Sequence, residues 1–293
     1  MKVAIYGQVL LEEDIPHVVS LLEALKQIGA QFSIEKKFAK KLQTALVVYE
    51  HGLFDQKSGL DKTFDMFVSF GGDGTMLRAV TYVQDLGIPV VGVNTGRLGF
   101  LSTFKKEEVT KVVTEFLEGN YTIEERSLVA LDSASNINAF GDLDFALNEI
   151  TVSRKDTTSM ITVETFLDGE YLTSYWADGL IVSTPTGSTG YSLSCGGPVI
   201  APSAKSLVLT PIAPHNLNAR PFVIADHTSI RLRVSGREEN HLLSLDSRIA
   251  TIPNGTEIII RKANFTVKMI EYKAESFLKT LRNKLLWGED KRN

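Results

Sequence analysis

The chain of 293 residues has one cysteine, Cys195, so no disulfide can close within it. That usage suits a reducing compartment. Cys195 lies in SLSCGGP with no obvious base beside it, and reads as a small buried filler ahead of a nucleophile. No stretch approaches the ~18 uninterrupted apolar residues of a membrane span. The start, MKVAIYGQVL, holds one lysine and a short apolar run before three acids, unlike a secretory signal. A cytoplasmic protein with no membrane partner is expected. A basic excess is also lacking: 31 Lys and Arg against 35 Asp and Glu give a net charge of −4, which argues against duplex nucleic acid as a partner. No internal repeat or low-complexity linker occurs.

What is present is an ordinary globular composition, 43% hydrophobic and 23% charged, long enough for one large domain or two medium ones. Roughly the first 125 residues alternate strand and helix. MKVAIYG reads as a buried strand, and Ile15, Val18, Val19, Leu22, Leu25 and Ile28 recur at helical spacing before Gly29. FSIE and ALVVYE are short strand candidates around KKFAKK, a helix or loop. DMFVSF is a clear strand, TMLRAVTYVQDLG a helix turning Leu77, Val80 and Leu86 inward, IPVVGVN a further strand and KKEEVTKVVTEFLEGN a further helix. Such alternation implies a doubly wound parallel sheet. From about residue 122 short β-rich segments follow one another, punctuated by turn residues, as in a sandwich. ESFLKTLRNKLLWG closes the chain as an amphipathic helix. The expected fold is α/β: an N-terminal doubly wound domain over 1–122, a β-rich sandwich-like domain over 123–270, and a final helix over 271–293 packing back on the first domain.

The chemistry concentrates at glycines. VSFGGDGTMLRAV, residues 68–80, joins an apolar strand to a helix start, where backbone N–H groups and the helix dipole converge. Taken alone, a packing turn needing positive φ explains these glycines equally well. The loop has neither the lysine of a Walker site nor the third glycine of G-x-G-x-x-G. Its acid, Asp73, would repel a phosphate unless a cation intervenes or the carboxylate has other work. Phosphoryl transfer supplies both: Mg²⁺ neutralises phosphate oxygens, and a carboxylate accepts the proton of an attacking hydroxyl. Arg78, one turn on, is read equally as a phosphate partner and as a solvated helix residue.

NTGRLGFLS, residues 94–102, follows a second strand at the same sheet edge, and its Asn94 and Gly96 join the phosphate set. Gly96 and Gly99 also fit simple turns, and Arg97 fits either a ligand contact or a structural pair. Residues 177–202 pack four serines, three threonines, four glycines after Gly179 and Tyr191 behind a buried strand. Such a density of hydroxyls and exposed backbone suits a polyhydroxylated or phosphorylated ligand, with Tyr191 free to stack on a base. Asn148 and Glu149 stand together in a strand-like run, so one must face a core or a pocket unless the strand breaks there.

GGDGTML, NTGRLGFL, the Asn-Glu pair, DGLIVSTPTGSTGYSLSCGGP and LTPIAPHNLNARP, in this order over about residues 65–250, resemble the NAD kinases. GGDGT alone is shared with phosphofructokinases and with diacylglycerol and sphingosine kinases; the STPTGSTGYSLS block and the Asn-Glu pair are not. The resemblance implies transfer of the γ-phosphoryl of ATP, or of polyphosphate, to the adenosine 2′-hydroxyl of NAD, giving NADP. A divalent cation, expected to be Mg²⁺, would serve, with no residue singled out as its ligand. It also implies a homodimer or homotetramer in which one subunit completes another's site. Asp73 matches the catalytic acid, and Gly71, Gly72, Gly74 and Thr75 the phosphate turn. Asn148 and Glu149 match the adenosine-holding pair, and Asp178 the acid that reaches the dinucleotide. Thr186, Thr189, Gly190, Tyr191 and Ser194 match positions around adenine and ribose; Ala213 and His215 border the ligand, although His215 equally fits a structural imidazole. His17, His51, His227 and His241 default to the surface. One departure stands out: the family's Asp-Gly-Gln turn reads Asp246-Ser247-Arg248 here, and a Cβ on Ser247 could crowd a ligand. A sugar or lipid kinase of the GGDGT type and a non-catalytic dinucleotide sensor remain the other readings.

Overall fold

The apolar runs of the first hundred residues become parallel strands because each is bounded by a glycine or a cap. In a computed structural model, which describes residues 1–42, 46, 48–155, 159–272 and 276–287, KVAIYG forms β1 (Lys2–Gly7). There follow α1 (Ile15–Gln27), β2 (Gln31–Glu35), α2 (Lys36–Lys41), β3 (Gly52–Phe54) and β4 (Met66–Phe70). After these come α3 (Asp73–Val83), β5 (Val90–Asn94), β6 (Phe104–Lys105) and α4 (Val109–Leu117). The strands pair in parallel in the order β3-β2-β1-β4-β5, with β6 beside β5. Strand order therefore reverses between β1 and β4, the switch point at which doubly wound sheets bind ligands. GGDGT leaves β4 at that point.

Pro16 sits in the first turn of α1, and Gly29, at φ +66°, ends it. Its buried face is Val18, Leu21, Leu22 and Leu25, and Ile28, expected inward, is 42% exposed just past the last turn. KKFAKK is helical because the Glu35 carboxylate caps it, accepting the N–H groups of Lys37 and Phe38. The expected inward face of α3 also shifts: Met76, Ala79, Val80 and Val83 are buried, Leu77 is half-buried, and Leu86 lies beyond the helix. The ALVVYE strand falls partly on residues 45 and 47, outside the described residues, and the strand of this region is the later β3.

By its internal contacts the chain forms two units, Met1–Glu125 with Val267–Asn293, and Arg126–Thr266. The closing helix Phe277–Leu285 belongs to the first unit, where the Phe277 ring lies 6.3 Å from that of Phe100. The unit boundaries fall inside two strands, β7 (Tyr121–Leu131) and the last one, so no linker composition marks them.

The second unit is a sandwich of antiparallel sheets. Its strands are β8 (Phe145–Ala146), β9 (Glu149–Arg154), β10 (Ile161–Leu167), β11 (Glu170–Ala177), β12 (Gly179–Ser183) and β13 (Ser206–Ile212). They continue with β14 (Phe222–Ala225), β15 (Ile230–Gly236), β16 (Asn240–Leu245), β17 (Arg248–Pro253) and, up to Thr266, the first part of β18 (Glu257–Tyr272). One sheet runs β11-β10-β15-β18 and the other β14-β13-β12-β9-β16-β17. Their inward residues, among them Val163, Leu232 and Ile258 against Val152, Val182 and Leu243, share one buried cluster. His241, expected at the surface, is wholly buried: β16 alternates, and its inward set is His241, Leu243 and Leu245. Burial holds its imidazole below the usual histidine range, and its Nδ1 lies 3.2 Å from Asn254 Oδ1.

Candidate active site

Gly71 follows β4 at φ +141°, and an added Cβ would lie 2.3 Å from Thr75 Oγ1, so only glycine fits. Gly72 begins α3 without a side-chain cap. A Cβ on Gly72 or Gly74 would meet nothing within 4 Å, leaving open faces beside the first-turn N–H groups. Asp73, the acid of this turn, is drawn towards the 94–102 loop. Its Oδ2 accepts the N–H of Phe100 at 2.8 Å, and its Oδ1 accepts those of Leu101 and Ser102, both at 3.0 Å. A carboxylate offers about four lone-pair positions, so roughly one stays available for a further donor. Gly99 makes the approach possible, because a Cβ there would lie 1.8 Å from Asp73 Oδ1.

The same loop is shaped by Asn94, whose Nδ2 donates to the carbonyls of Arg97 (2.9 Å) and Ser102 (3.3 Å) and whose Oδ1 accepts Gly96 N–H (2.7 Å). Asn94 is 4% exposed and spends its side chain on the loop, while Gly96 faces open space and Arg97 is exposed. Arg78 is exposed on α3, near Tyr6 and Tyr82; burial, against the pull of the Arg78 charge, pushes the Tyr6 phenol up to about 12.

In the second unit the strand does break at the Asn-Glu pair: β8 ends at Ala146 and β9 begins at Glu149. Asn148 Oδ1 and Glu149 Oε2 are buried without a hydrogen-bond partner among the described residues. Burial, and then the charge of Asp246, push the Glu149 carboxyl up to about 8. The hydroxyl-rich block is stitched to this break, Thr184 N–H donating to Asn148 O (2.9 Å) and Thr184 Oγ1 to Leu147 O (2.6 Å). A Cβ on Gly187 would lie 2.2 Å from Asn148 O, and one on Gly190 would lie 3.4 Å from Asn148 Nδ2 and 3.5 Å from Glu149 Oε2. Tyr191 opens the short helix Tyr191–Ser194 with its side chain 46% exposed, a free stacking face. Ser194 is exposed, Thr186 is buried, and Thr189 Oγ1 turns back to Thr186 O at 3.2 Å. Cys195 is half-buried, not fully buried as expected; burial pushes its thiol up, the reverse of what a nucleophile needs.

The raised Glu149 gives a stability test. Its folded value of about 8 lies above the ordinary 4.5, so the unfolded chain releases this proton first as pH rises. Stability therefore falls between those two values. Glu149→Gln is expected to melt at or below the wild-type temperature at pH 5 and above it at pH 9, by about 2–4 °C per kcal/mol relieved. Melting curves showing a pH-independent gap would contradict the assignment.

A cavity of about 360 Å³ in the second unit gathers Asp178, Ala213 and His215 with Arg154, Trp176 and Arg237. Arg154 Nη2 pairs with Asp178 Oδ2 at 3.0 Å, and the Trp176 and His215 rings lie 5.0 Å apart. Ala213 takes a left-handed φ of +42°, which is strained for a residue with a Cβ. Trp176 went unnoticed in the sequence, although alternation along Trp176-Ala177-Asp178 puts it on the same face as Asp178. A larger cavity, about 560 Å³ and lined by Lys26, Phe32 and Tyr49 among others, lies by the amino ends of β1 and β2, away from the glycine loops. Ser247 is exposed, and the left-handed residue of its turn is Asp246 (φ +51°), so the serine takes no backbone strain from the missing glycine. No helix among the described residues is long and apolar enough to cross a membrane.

Residues 12–121 match the model of the ATP-NAD kinase N-terminal domain, and residues 147–272 that of the ATP-NAD kinase C-terminal domain. The NAD kinase of Flavobacterium psychrophilum is 57% identical over 294 residues, covering all of both chains. That of Bacteroides fragilis is 41% identical with the same full coverage. Among solved structures, yeast NADH kinase complexed with NADH superposes with a TM-score of 0.83 at 25% identity, covering 99% of this chain and 88% of that one. An Archaeoglobus fulgidus NAD kinase in complex with ATP gives 0.74 at 28% identity, covering 98% and 99%. Two domain matches in register with the two glycine loops and the Asn-Glu break, and full-length relatives of one name, lead to one conclusion: the chain belongs to the NAD kinase family.

Proposed function

We propose that the chain transfers the γ-phosphoryl of ATP to the adenosine 2′-hydroxyl of NAD, making NADP, with Asp73 as acceptor of the hydroxyl proton. The observation that carries this reading is the pair of buried, unpartnered oxygens on Asn148 and Glu149. Leaving such atoms unpaired costs about 1–3 kcal/mol each, a cost offset where a ligand completes them. A phosphate turn alone would serve a sugar kinase equally well; this second polar site suits a dinucleotide.

In the reaction the ribose oxygen bonds to the γ-phosphorus, the bond from that phosphorus to the β,γ-bridging oxygen breaks, and ADP departs. Gly72 and Gly74 offer backbone N–H groups to the phosphates, while those of Gly71 and Thr75 shape the turn by donating to Val93 O and Gly72 O, both at 2.9 Å, with Gly96 leaving room and Asn94 holding its loop in shape. Arg78 adds positive charge from α3. Asn148 and Glu149 hold the adenosine, and Thr186, Thr189, Gly190, Tyr191 and Ser194 surround its base and sugar. Asp178, Ala213 and His215 border the remainder of the dinucleotide. Asp73 uses its remaining lone pair to orient the hydroxyl and take its proton. Positioning and charge supply most of the acceleration, and general-base help is worth ~10²–10⁴-fold.

No three His, Cys, Asp or Glu side chains gather into a metal cage among the described residues. A Mg²⁺ ion, as phosphoryl transfer calls for, would be held mainly by the nucleotide's own oxygens and water and would neutralise phosphate charge. The first unit thus serves the phosphates and the second the dinucleotide. The enzyme works in the cytoplasm as a homodimer or homotetramer in which one subunit completes another's site. Exposed Leu217, Phe222 and Val223, the last two on the end strand β14, support self-association.

The purified chain, given ATP, Mg²⁺ and NAD, is expected to form NADP, read with an NADP-specific dehydrogenase. Failure to form NADP, with a sugar or lipid phosphorylated instead, would overturn the proposal.

A further inference from the structure

The Asn148–Glu149 pair stands at a break in strand pairing, so something other than a sheet ladder must hold it. Three successive N–H groups turn to one carboxylate: Asp246 Oδ2 accepts Leu147 N–H at 2.9 Å, and Oδ1 accepts those of Asn148 at 2.8 Å and Glu149 at 3.2 Å. In return the Asp246 N–H donates to Glu149 O at 3.0 Å. Asp246 sits in the two-residue turn between β16 and β17, bounded by the Leu245–Arg248 pair, at a φ of +51° that aspartate tolerates better than most side chains.

Arg248 braces the same segment from its other end. Its guanidinium donates to the carbonyls of Leu143 and Phe145 and lies 5.5 Å over the Phe145 ring. Its charge also favours the ionised form of Asp246, against burial, which pushes that carboxyl up. The two residues therefore grip residues 143–149 at five backbone positions, immediately before and at the pair whose side-chain oxygens lack partners.

We infer that Asp246, steadied by Arg248, is the positioning residue of the dinucleotide site: its carboxylate holds the 147–149 break and so aims Asn148 Oδ1 and Glu149 Oε2. The inference rests on reading that pair as the adenosine-binding one. It assigns the Asp246-Ser247-Arg248 turn a task in substrate binding, separate from the transfer step at Asp73.

The charge of Asp246 provides a readout that loss of packing would not mimic. The ionisable groups that face Glu149 are Asp246 from the β16–β17 turn, whose charge adds to burial in raising it, and Tyr191 and Cys195 of the short helix, both raised by burial and then by the Glu149 charge. Of these, Asp246 bears the negative charge that helps hold Glu149 protonated. Removing that charge lowers the pH at which Glu149 ionises.

The test measures KM for NAD, KM for ATP and kcat against pH for wild type, Asp246→Asn and Arg248→Lys. Wild type that forms no NADP defeats the functional reading itself and is recognised before any variant is compared. With wild type active, Asp246→Asn is expected to raise KM for NAD at least about tenfold through misaim of the pair. Its kcat and KM for ATP are expected to stay within about threefold, the split of lost substrate binding. The midpoint of log KM for NAD against pH, near 8 in wild type, is expected to move down. Arg248→Lys is expected to raise KM for NAD by a smaller factor and leave that midpoint in place. A folded Asp246→Asn enzyme with KM for NAD within twofold of wild type and an unmoved midpoint overturns the inference. Should Asp246→Asn not fold, an unchanged KM for NAD in Arg248→Lys overturns it, and a raised one upholds it.

Discussion

Asp73→Asn is expected to lower turnover at least ~10²-fold while KM for NAD changes little. The proposed role needs an oxygen lone pair that accepts a full proton as the 2′-oxygen bonds to phosphorus. An amide keeps the shape and can accept a hydrogen bond but does not take that proton. The substitution also has a structural side. Asp73 receives three backbone N–H groups from Phe100, Leu101 and Ser102, and the amide presents an NH₂ group to at least one of them. Some loosening of the loop is therefore expected with the loss of the base, visible as a lower melting temperature. Steady-state kinetics decide the matter: turnover near wild type would remove Asp73 from proton acceptance.

Gly99→Ala is expected to be as damaging, although residue 99 itself is assigned no contact with a substrate. Its Cβ would lie 1.8 Å from Asp73 Oδ1 and 2.4 Å from Cγ, distances no pair of non-bonded atoms tolerates. Either Asp73 rotates out of the loop and forfeits its N–H partners, or residues 99–102 shift outward. A displacement of about 1 Å at a reacting group costs on the order of 10²-fold in rate, and a loss of that size in kcat is expected. If Gly99→Ala turns over like wild type, the seating of Asp73 against the loop has no bearing on transfer.

Much of the fold was legible because local rules and tertiary structure agree. Apolar strands ending in glycine, helices with Pro16 at the start or Gly29 at the stop, and the change to short alternating strands all point one way. The failures have particular causes. Residue type alone sends His241 to the surface, but the two-residue period of NHLLSL puts it beside Leu243 on the inward face. On α3 the expected Val80 is buried, whereas Met76, Ala79 and Val83 take the places expected for Leu77 and Leu86, the latter because the helix ends at Val83.

At the candidate site, residue types were readable and long-range hydrogen bonds were not. Asp73 reaches N–H groups 27–29 residues ahead. The grip of Asp246 spans 97–99 residues, a pairing that no spacing rule proposes. Asn94, placed in the phosphate set by its position after a strand, spends its polar atoms on its own loop. Ser247 drew notice for the glycine it replaces, whereas the informative residues of that turn are its neighbours, Asp246 and Arg248.

Transfer of a phosphoryl group from ATP to one hydroxyl, the 2′-hydroxyl of the adenosine ribose of NAD, is measured most directly with ATP labelled at the γ-phosphate, offered with NAD or with an NAD analogue lacking that hydroxyl. Label is expected on the dinucleotide as a 2′-phosphate with NAD, and none with the analogue. Label on the analogue, or on another position of NAD, would contradict transfer to that hydroxyl.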